Sequence, residues 1–526
     1  MATTQVDKLG AAYAFTGPAL ELGALVLDGA AHPEASIRVP LSMLNRHGLV
    51  AGATGTGKTK TLQLMAEQLS DAGVPVFLAD IKGDVSGMAA PGTTSDRIAK
   101  RAAETGTDWH AKAFPVEFLT LGGEGGTGVP VRATMTSFGP VLLAKVLGLN
   151  ETQESSLGLV FHFADKAGLP LLDLKDLRAV ISHLTSPDGK AELDQLGGLS
   201  TATAGVILRE LIGLSDGGGD AFFGEPEFDS HDLLRTTADG RGVLSIMELQ
   251  GLQANPTLFS TFLMWLLADL FHDLPELGDV EKPKLVFFFD EAHLLFDGAS
   301  KAFLDAVAQT VRLIRSKGVG VFFVTQTPKD VPSDVLAQLG NRIQHALRAF
   351  TPDDAKALKA TVGTFPRSDV YADLGALLTS LGIGEAVVTI LSEEGAPTPV
   401  AWTRLRPPAS LMGPLDAAQQ EALVAASPLQ EEYGVPVDRD SAYERLLAKV
   451  APQPPQEEPP APAEAPHTQQ GQEPSRVGGA VAGLLGSSIF RSFARSAASS
   501  AGREISRELF GTAPRRRTTR RRRSSW

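Results

Sequence analysis

Residues Gly52-Ala53-Thr54-Gly55-Thr56-Gly57-Lys58-Thr59 lie between a short apolar stretch, Leu49 to Ala51, and a helical pattern running from Thr61 to Ala72. Three glycines let the backbone curl so that successive N–H groups face inward, while the helix that follows directs its positive end at the same point. This combination demands a strand-to-helix turn wrapped around an anion. Lys58 is suited to neutralise the β- and γ-phosphates of a nucleotide, and the Thr59 hydroxyl to ligate magnesium. Gly52, Ala53, Thr54, Gly55, Thr56, Gly57, Lys58, Thr59 and Lys60 are therefore the expected contact set for ATP and Mg2+. An ordinary glycine-rich turn is the alternative, and the flanking strand and helix argue against it.

Apolar runs of strand length recur between helical stretches: His47 to Gly52, Val74 to Asp80, Val116 to Leu121, Gly242 to Glu248, Lys284 to Asp290, Gly318 to Thr325 and Ile343 to Ala349. Such alternation predicts βαβ units and a mainly parallel sheet. Runs such as Leu285-Val286-Phe287-Phe288-Phe289 are continuously apolar, as strands covered by helices on both faces must be. The expected fold is α/β, with an inserted helical subdomain between Gly139 and Asp232, where leucines and valines repeat at helical spacing.

The run 285–289 ends in two adjacent carboxylates, Asp290 and Glu291. In a parallel sheet the C-terminal strand ends line the ligand crevice, so Asp290 can hold the magnesium shell and Glu291 can polarise an attacking water. A strand-end acidic pair is often only a solvated edge; the glycine-rich turn elsewhere in the chain favours the catalytic reading. His293 fits a packing or capping role equally well. A third run delivers Thr325 and Gln326 to the same edge, where Gln326 offers both a donor and an acceptor for orienting water beside a γ-phosphate.

The chain has 526 residues, 43% of them apolar, enough for at least one large core. It has no cysteine, which excludes disulfides and thiolate metal sites and fits a reducing compartment. The first fifteen residues lack a secretory pattern and Leu258 to Phe271 is shorter than a membrane span needs, so a cytoplasmic location without integral membrane association is expected. The net charge of −13 is uneven: residues 476–526 hold twelve arginines against two glutamates, leaving −23 for residues 1–475. So acidic a body argues against broad electrostatic adhesion to nucleic acid.

The expected organisation is an N-terminal segment (1–45) packed on the core, a first core part (46–138), the helical insertion (139–235), a second core part (236–405), a helical extension (406–451), a Pro/Gln/Glu-rich linker (452–475), and a small-residue helix with an Arg-rich tail (476–526). The linker composition cannot pack a core. The tail reads as a disordered basic segment or as an anchor for nucleic acid, anionic lipid or a neighbouring subunit.

Taken together, Gly52 to Thr59, Leu78-Ala79-Asp80-Ile81-Lys82-Gly83-Asp84, Gly139 to Leu143 with Leu149 to Gln153, Phe289 to His293, Thr325 to Pro328 and Gly340 to Arg348 resemble the HerA/FtsK superfamily of P-loop ATPases, and within it the bacterial HerA-like (YjgR-like) proteins. The resemblance covers most of residues 5–405. It implies a RecA-like P-loop NTPase core, magnesium-dependent ATP hydrolysis, homohexameric rings with sites between subunits, and movement on DNA. Such rings set an arginine of one subunit beside the γ-phosphate held by the next, and Arg342 and Arg348 are the candidates here, with Arg312 and Arg315 behind them. Asp80 and Lys82 match a position near the nucleotide, although a turn with solvated charges explains them nearly as well. Only about 45 residues precede the first core strand, too few for the β-barrel that archaeal HerA proteins carry there.

Two other readings compete. Asp290-Glu291-Ala292-His293 spells the box of a separate helicase superfamily, but Lys58 and Asp290 are 232 residues apart and no second RecA-like domain follows Ala349. The other keeps ATP hydrolysis without translocation: a switched scaffold or regulatory ATPase whose insertion or tail binds protein partners, which the acidic body favours.

Overall fold

A computed structural model of the chain describes residues 2–450, apart from 124–125, 195–196, 251–255, 279, 298 and 300. The expected linker and basic tail lie outside the described residues. Twelve strands among them form one sheet: β1 (Ala19–Leu27), β2 (Ala30–Pro40), β3 (Gly48–Ala51), β4 (Val76–Asp80), β5 (Val116–Leu121), β6 (Val129–Val131), β7 (Leu244–Glu248), β8 (Leu285–Phe289), β9 (Val319–Thr325), β10 (Asn341–His345), β11 (Glu385–Thr389) and β12 (Ala401–Leu405). Their order is β2-β1-β12-β11-β10-β3-β9-β8-β4-β7-β5-β6. From β10 to β6 every pairing is parallel. From β10 to β2 every pairing is antiparallel.

The continuous apolar runs divide their side chains between two cores. Phe287 and Phe289 join one cluster while Val286 and Phe288 join the other, which is why β8 has no polar face to show. The first cluster contains the helices of the insertion, Pro140–Val146, Glu151–Lys166, Leu174–Thr185 and Thr201–Leu214, together with Pro256–Asp273 and Lys301–Ile314. Its aromatic centre sets Phe77 5.1 Å from Phe287 and Phe289 5.7 Å from Phe323. Truncating such a ring to alanine costs ~3–5 kcal/mol. The insertion is thus one helical layer on the sheet, sharing its core. The second cluster holds the helix Lys58–Asp71 and the N-terminal helix Ala2–Ala11.

Seven strands fall where the apolar runs predicted them, with one displaced. The expected Ile343 to Ala349 is in fact β10, Asn341–His345, because a polar residue begins it. The Asn341 amide is buried and donates to the carbonyls of Met43 and His47, 3.0 Å each. Five strands were not anticipated. Segment 1–45 does more than pack on the core: it supplies β1 and β2, which join the sheet through β12.

Parallel register brings the C-terminal ends of adjacent strands to one edge. Gln344 pairs with Ala51, Ala51 with Thr325, Phe323 with Phe289, Phe289 with Ala79, and Asp80 with Glu248. The residues that follow each of these are the ones able to meet a common ligand.

Candidate nucleotide site

The loop between β3 and the helix Lys58–Asp71 is fastened at several points. Gly52 N–H donates to Thr325 O at 3.2 Å and Ala53 N–H to Ala346 O at 2.8 Å. Thr56 accepts from Gly384 N–H at 3.0 Å and its hydroxyl donates to Ala53 O at 2.7 Å. Gly57, with φ 111°, caps the helix in the left-handed region. A Cβ on Gly52 would come within 2.4 Å of His345 Cβ, so close approach requires glycine there, whereas at Gly57 the backbone conformation does. The first N–H groups of a helix have no partner within it, and no side chain caps them here.

His345, at the end of β10, is buried and its Nε2 lies 2.8 Å from the Thr61 hydroxyl on the same helix. Burial pushes its imidazole down to about 4, with the Lys58 charge acting in the same direction. It is neutral at physiological pH, an uncharged brace beneath the loop. Sequence reading placed it only inside a longer motif; the contact to Thr61 spans 284 residues and has no local signal.

Lys58 is 6% exposed and its ammonium donates to Gly52 O at 2.7 Å. Burial lowers its pKa, against the raising influence of Glu291 and the further lowering by Lys82. Thr59 and Lys60 follow on the first turn, half-buried, and Lys60 Nζ donates to Gln63 Oε1 at 3.2 Å. Thr54 and Gly55 are exposed at the lip.

Two strands away, Asp290 and Glu291 follow β8. Ala292 N–H donates to Val324 O at 2.9 Å, which ties this turn to the end of β9 and so to the glycine-rich loop. Asp290 is 2% exposed; its Oδ1 accepts the Glu291 N–H at 2.9 Å, and its buried Oδ2 has no hydrogen-bond partner. Burial pushes the carboxyl up to about 7, although Lys82 pulls it down. Glu291 has φ 46°, uncommon for a residue with a side chain and a mark of local strain. Burial alone would raise its pKa, but the Lys82 ammonium in contact with Oε1 reverses this and holds it below the usual carboxylate value. His293 Nδ1 lies 3.2 Å from Glu291 Oε2 without hydrogen-bond alignment.

The remaining expected residues separate. Thr325 is consumed structurally, donating to Asp330 Oδ2 at 2.8 Å, whereas Gln326 is exposed at the edge. Arg342 lies mid-strand opposite Leu49, half-buried, at a hollow shared with Pro328, Thr364 and Phe365. Arg348 lies beyond the strand end, exposed, and donates to Thr379 O at 3.1 Å. Asp80 and Lys82 part company: Asp80 accepts three backbone N–H groups from its own turn, while Lys82 reaches Glu291.

These residues fit a magnesium nucleotide on their own chemistry. A narrow loop of left-handed glycines faces a helix start and a lysine, with a bare, buried carboxylate oxygen beside them. Lys58, Thr59 and Asp290 are the residues the sequence expectation assigns to it, and all three lie along these strand ends and the first turn of the helix. Among the described residues no helix is long and apolar enough to cross a membrane.

Comparison with known proteins bears on the fold and the family. The plasmid coupling protein TrwB, in complex with ADP and Mg2+, shares the fold with a TM-score of 0.51 at 16% identity, over 77% of this chain and 95% of that one. The trigonal form of TrwBdeltaN70 with sulphate gives the same values. VirB4 of Thermoanaerobacter pseudethanolicus aligns at a TM-score of 0.47 and 15% identity, over 74% of this chain and 97% of its own. No curated protein matches. The family model for the helicase HerA-like C-terminal region matches residues 26–518. With that match running through nearly its whole length, the chain belongs to the HerA-like helicase family.

Proposed function

We propose that this protein hydrolyses ATP with magnesium and couples hydrolysis, as a homohexameric ring in the cytoplasm, to movement on or remodelling of DNA. The observation that carries the hydrolytic reading is the meeting of Lys58 with the Asp290–Glu291 pair at one sheet edge, close enough for their charges to shift one another. Magnesium, when bound, would be held by Thr59 and Asp290 and would neutralise charge on the phosphates. Lys58 leaves Gly52 O to bind the β- and γ-phosphates, and the glycine-rich loop presents its N–H groups to them. Glu291 accepts a proton from the attacking water as the γ-phosphoryl group passes to it, giving ADP and phosphate. Gln326 orients that water. Arg348, exposed beyond β10, is better placed than Arg342 to enter a neighbour's site.

Family membership supports the DNA-linked step, since HerA-like describes helicases. The charge of −23 over residues 1–475 favours the second reading, an ATP-switched scaffold acting on protein partners through the insertion or tail. Steady-state ATP hydrolysis with and without single- and double-stranded DNA, at two salt concentrations, separates the two. An active protein that neither DNA stimulates overturns the motor reading. Sedimentation with and without nucleotide tests the hexamer independently.

A further inference from the structure

Lys82 brings a cation to the strand end beside Glu291. Its backbone is fixed, because the buried Asp80 carboxylate accepts its N–H at 3.1 Å and those of Gly83 and Val85 at 2.7 and 3.2 Å. Its side chain is 41% exposed and crosses to the neighbouring strand end, where Nζ contacts Glu291 Oε1. Asp290 and Asp84 act on the same ammonium, and that ammonium in turn acts on Lys58. It therefore lies beside Glu291, at the strand end where the proposed reaction brings the terminal phosphate.

An ammonium in contact with Glu291 opposes the task assigned to that carboxylate. An oxygen already donated to by Nζ is a poor acceptor for a water proton. A terminal phosphate carries more charge than one carboxylate and offers three oxygens, so it can compete for a long, flexible lysine. A diphosphate leaves the position of the third phosphate empty.

Building on the proposed ATPase reading, we infer that Lys82 is a positioning residue that masks Glu291 until the γ-phosphate of a nucleoside triphosphate draws its ammonium away. The fixed turn supplies a pivot and the side chain is the moving part. Triphosphate binding and release of Glu291 are then one event, and the site distinguishes triphosphate from diphosphate through a residue outside both the glycine-rich loop and the Asp290–Glu291 turn.

The test is a double-mutant cycle on the full chain with Mg2+, reading dissociation constants for ADP and a non-hydrolysable ATP analogue by calorimetry. Lys82→Met is expected to weaken the analogue about tenfold, the ratio set by ~1.4 kcal/mol, and to leave ADP within about twofold. Glu291→Gln, which removes the competing charge, should tighten the analogue by a similar factor only while Lys82 is present. Lys82→Arg should restore most of the preference. A Lys82→Met protein with the wild-type ratio of analogue to ADP affinity overturns the inference. So does tightening by Glu291→Gln that persists without Lys82. Failure of the underlying reading looks different: wild type binds neither nucleotide, or Lys58→Ala binds both as wild type does. Circular dichroism of each variant confirms the fold, which a side chain this exposed is not expected to carry.

Discussion

Asp80 and Asp290 occupy equivalent places on adjacent parallel strands, each one residue beyond the paired Ala79 and Phe289. Both are almost fully buried. Asp80 is followed by a turn through Gly83 that curls back and gives its carboxylate three N–H donors. Asp290 is followed by Glu291, whose positive φ turns the chain away, leaving one N–H donor and one bare oxygen. A buried acceptor satisfied by its own loop is structural; one left unsatisfied awaits something from outside. On the proposed reading, the same residue at the same level of a sheet belongs to the scaffold in one strand and to the chemistry in the next.

The largest expected effect follows from that contrast. Asp290→Asn should lower ATP hydrolysis on the order of 100-fold or more, with a melting temperature at pH 8 equal to or above wild type, because it removes a costly buried charge. Retained hydrolysis alongside lost stability would place Asp290 with the scaffold. Asp80→Ala should do the reverse, costing about 3 kcal/mol in denaturant unfolding as its turn loses charge-assisted bonds. A smaller loss would show that the turn holds itself.

Glu248 sharpens the comparison as a third strand-end carboxylate, paired with Asp80 and hydrogen-bonded by Gln250 at 2.6 Å and Gln420 at 3.2 Å. Burial, reinforced by the Asp80 charge, pushes it up to about 7. A pKa raised on folding means that stability present below about 4.5 is lost as pH rises through about 7. Glu248→Gln should therefore gain on wild type across that interval, reaching on the order of 2 kcal/mol by pH 8. A pH-independent difference would refute the assignment.

The smallest effect serves as a control at the opposite end of β3. His47 accepts the Val321 N–H at 3.1 Å, and burial depresses it to about 4. Depression of a base means its contribution is present above its ordinary value of 6.5 and lost as pH falls toward 4. His47→Gln should flatten the acid side of a melting-temperature profile by roughly 1 kcal/mol while leaving hydrolysis unchanged.

The parallel half of the sheet was legible because burial on both faces writes continuous apolar runs. The antiparallel flank was not. β12 alternates buried and half-buried residues over only five positions, and β2 carries His32, Pro33 and Glu34 along a partly exposed stretch. Such segments take strand form from their neighbours more than from their own pattern. At the site, Lys58, Asp290 and Glu291 announce themselves by local spacing. The partnership of Lys82 with Glu291 and of His345 with Thr61 arises only when distant strands pair, and sequence separation hides it.

The loop between β3 and the helix Lys58–Asp71 is fastened by Ala346 and Gly384, residues roughly three hundred positions downstream of it. A growing polypeptide that has already emerged through the glycine-rich loop and the Asp290–Glu291 turn still lacks both of those fastenings. On the proposed reading, productive nucleotide capture is accordingly a late event in the life of the nascent chain, reached only when the residues after β10 and before β11 have joined the loop. An incomplete product released before that point would carry every signature residue and bind little.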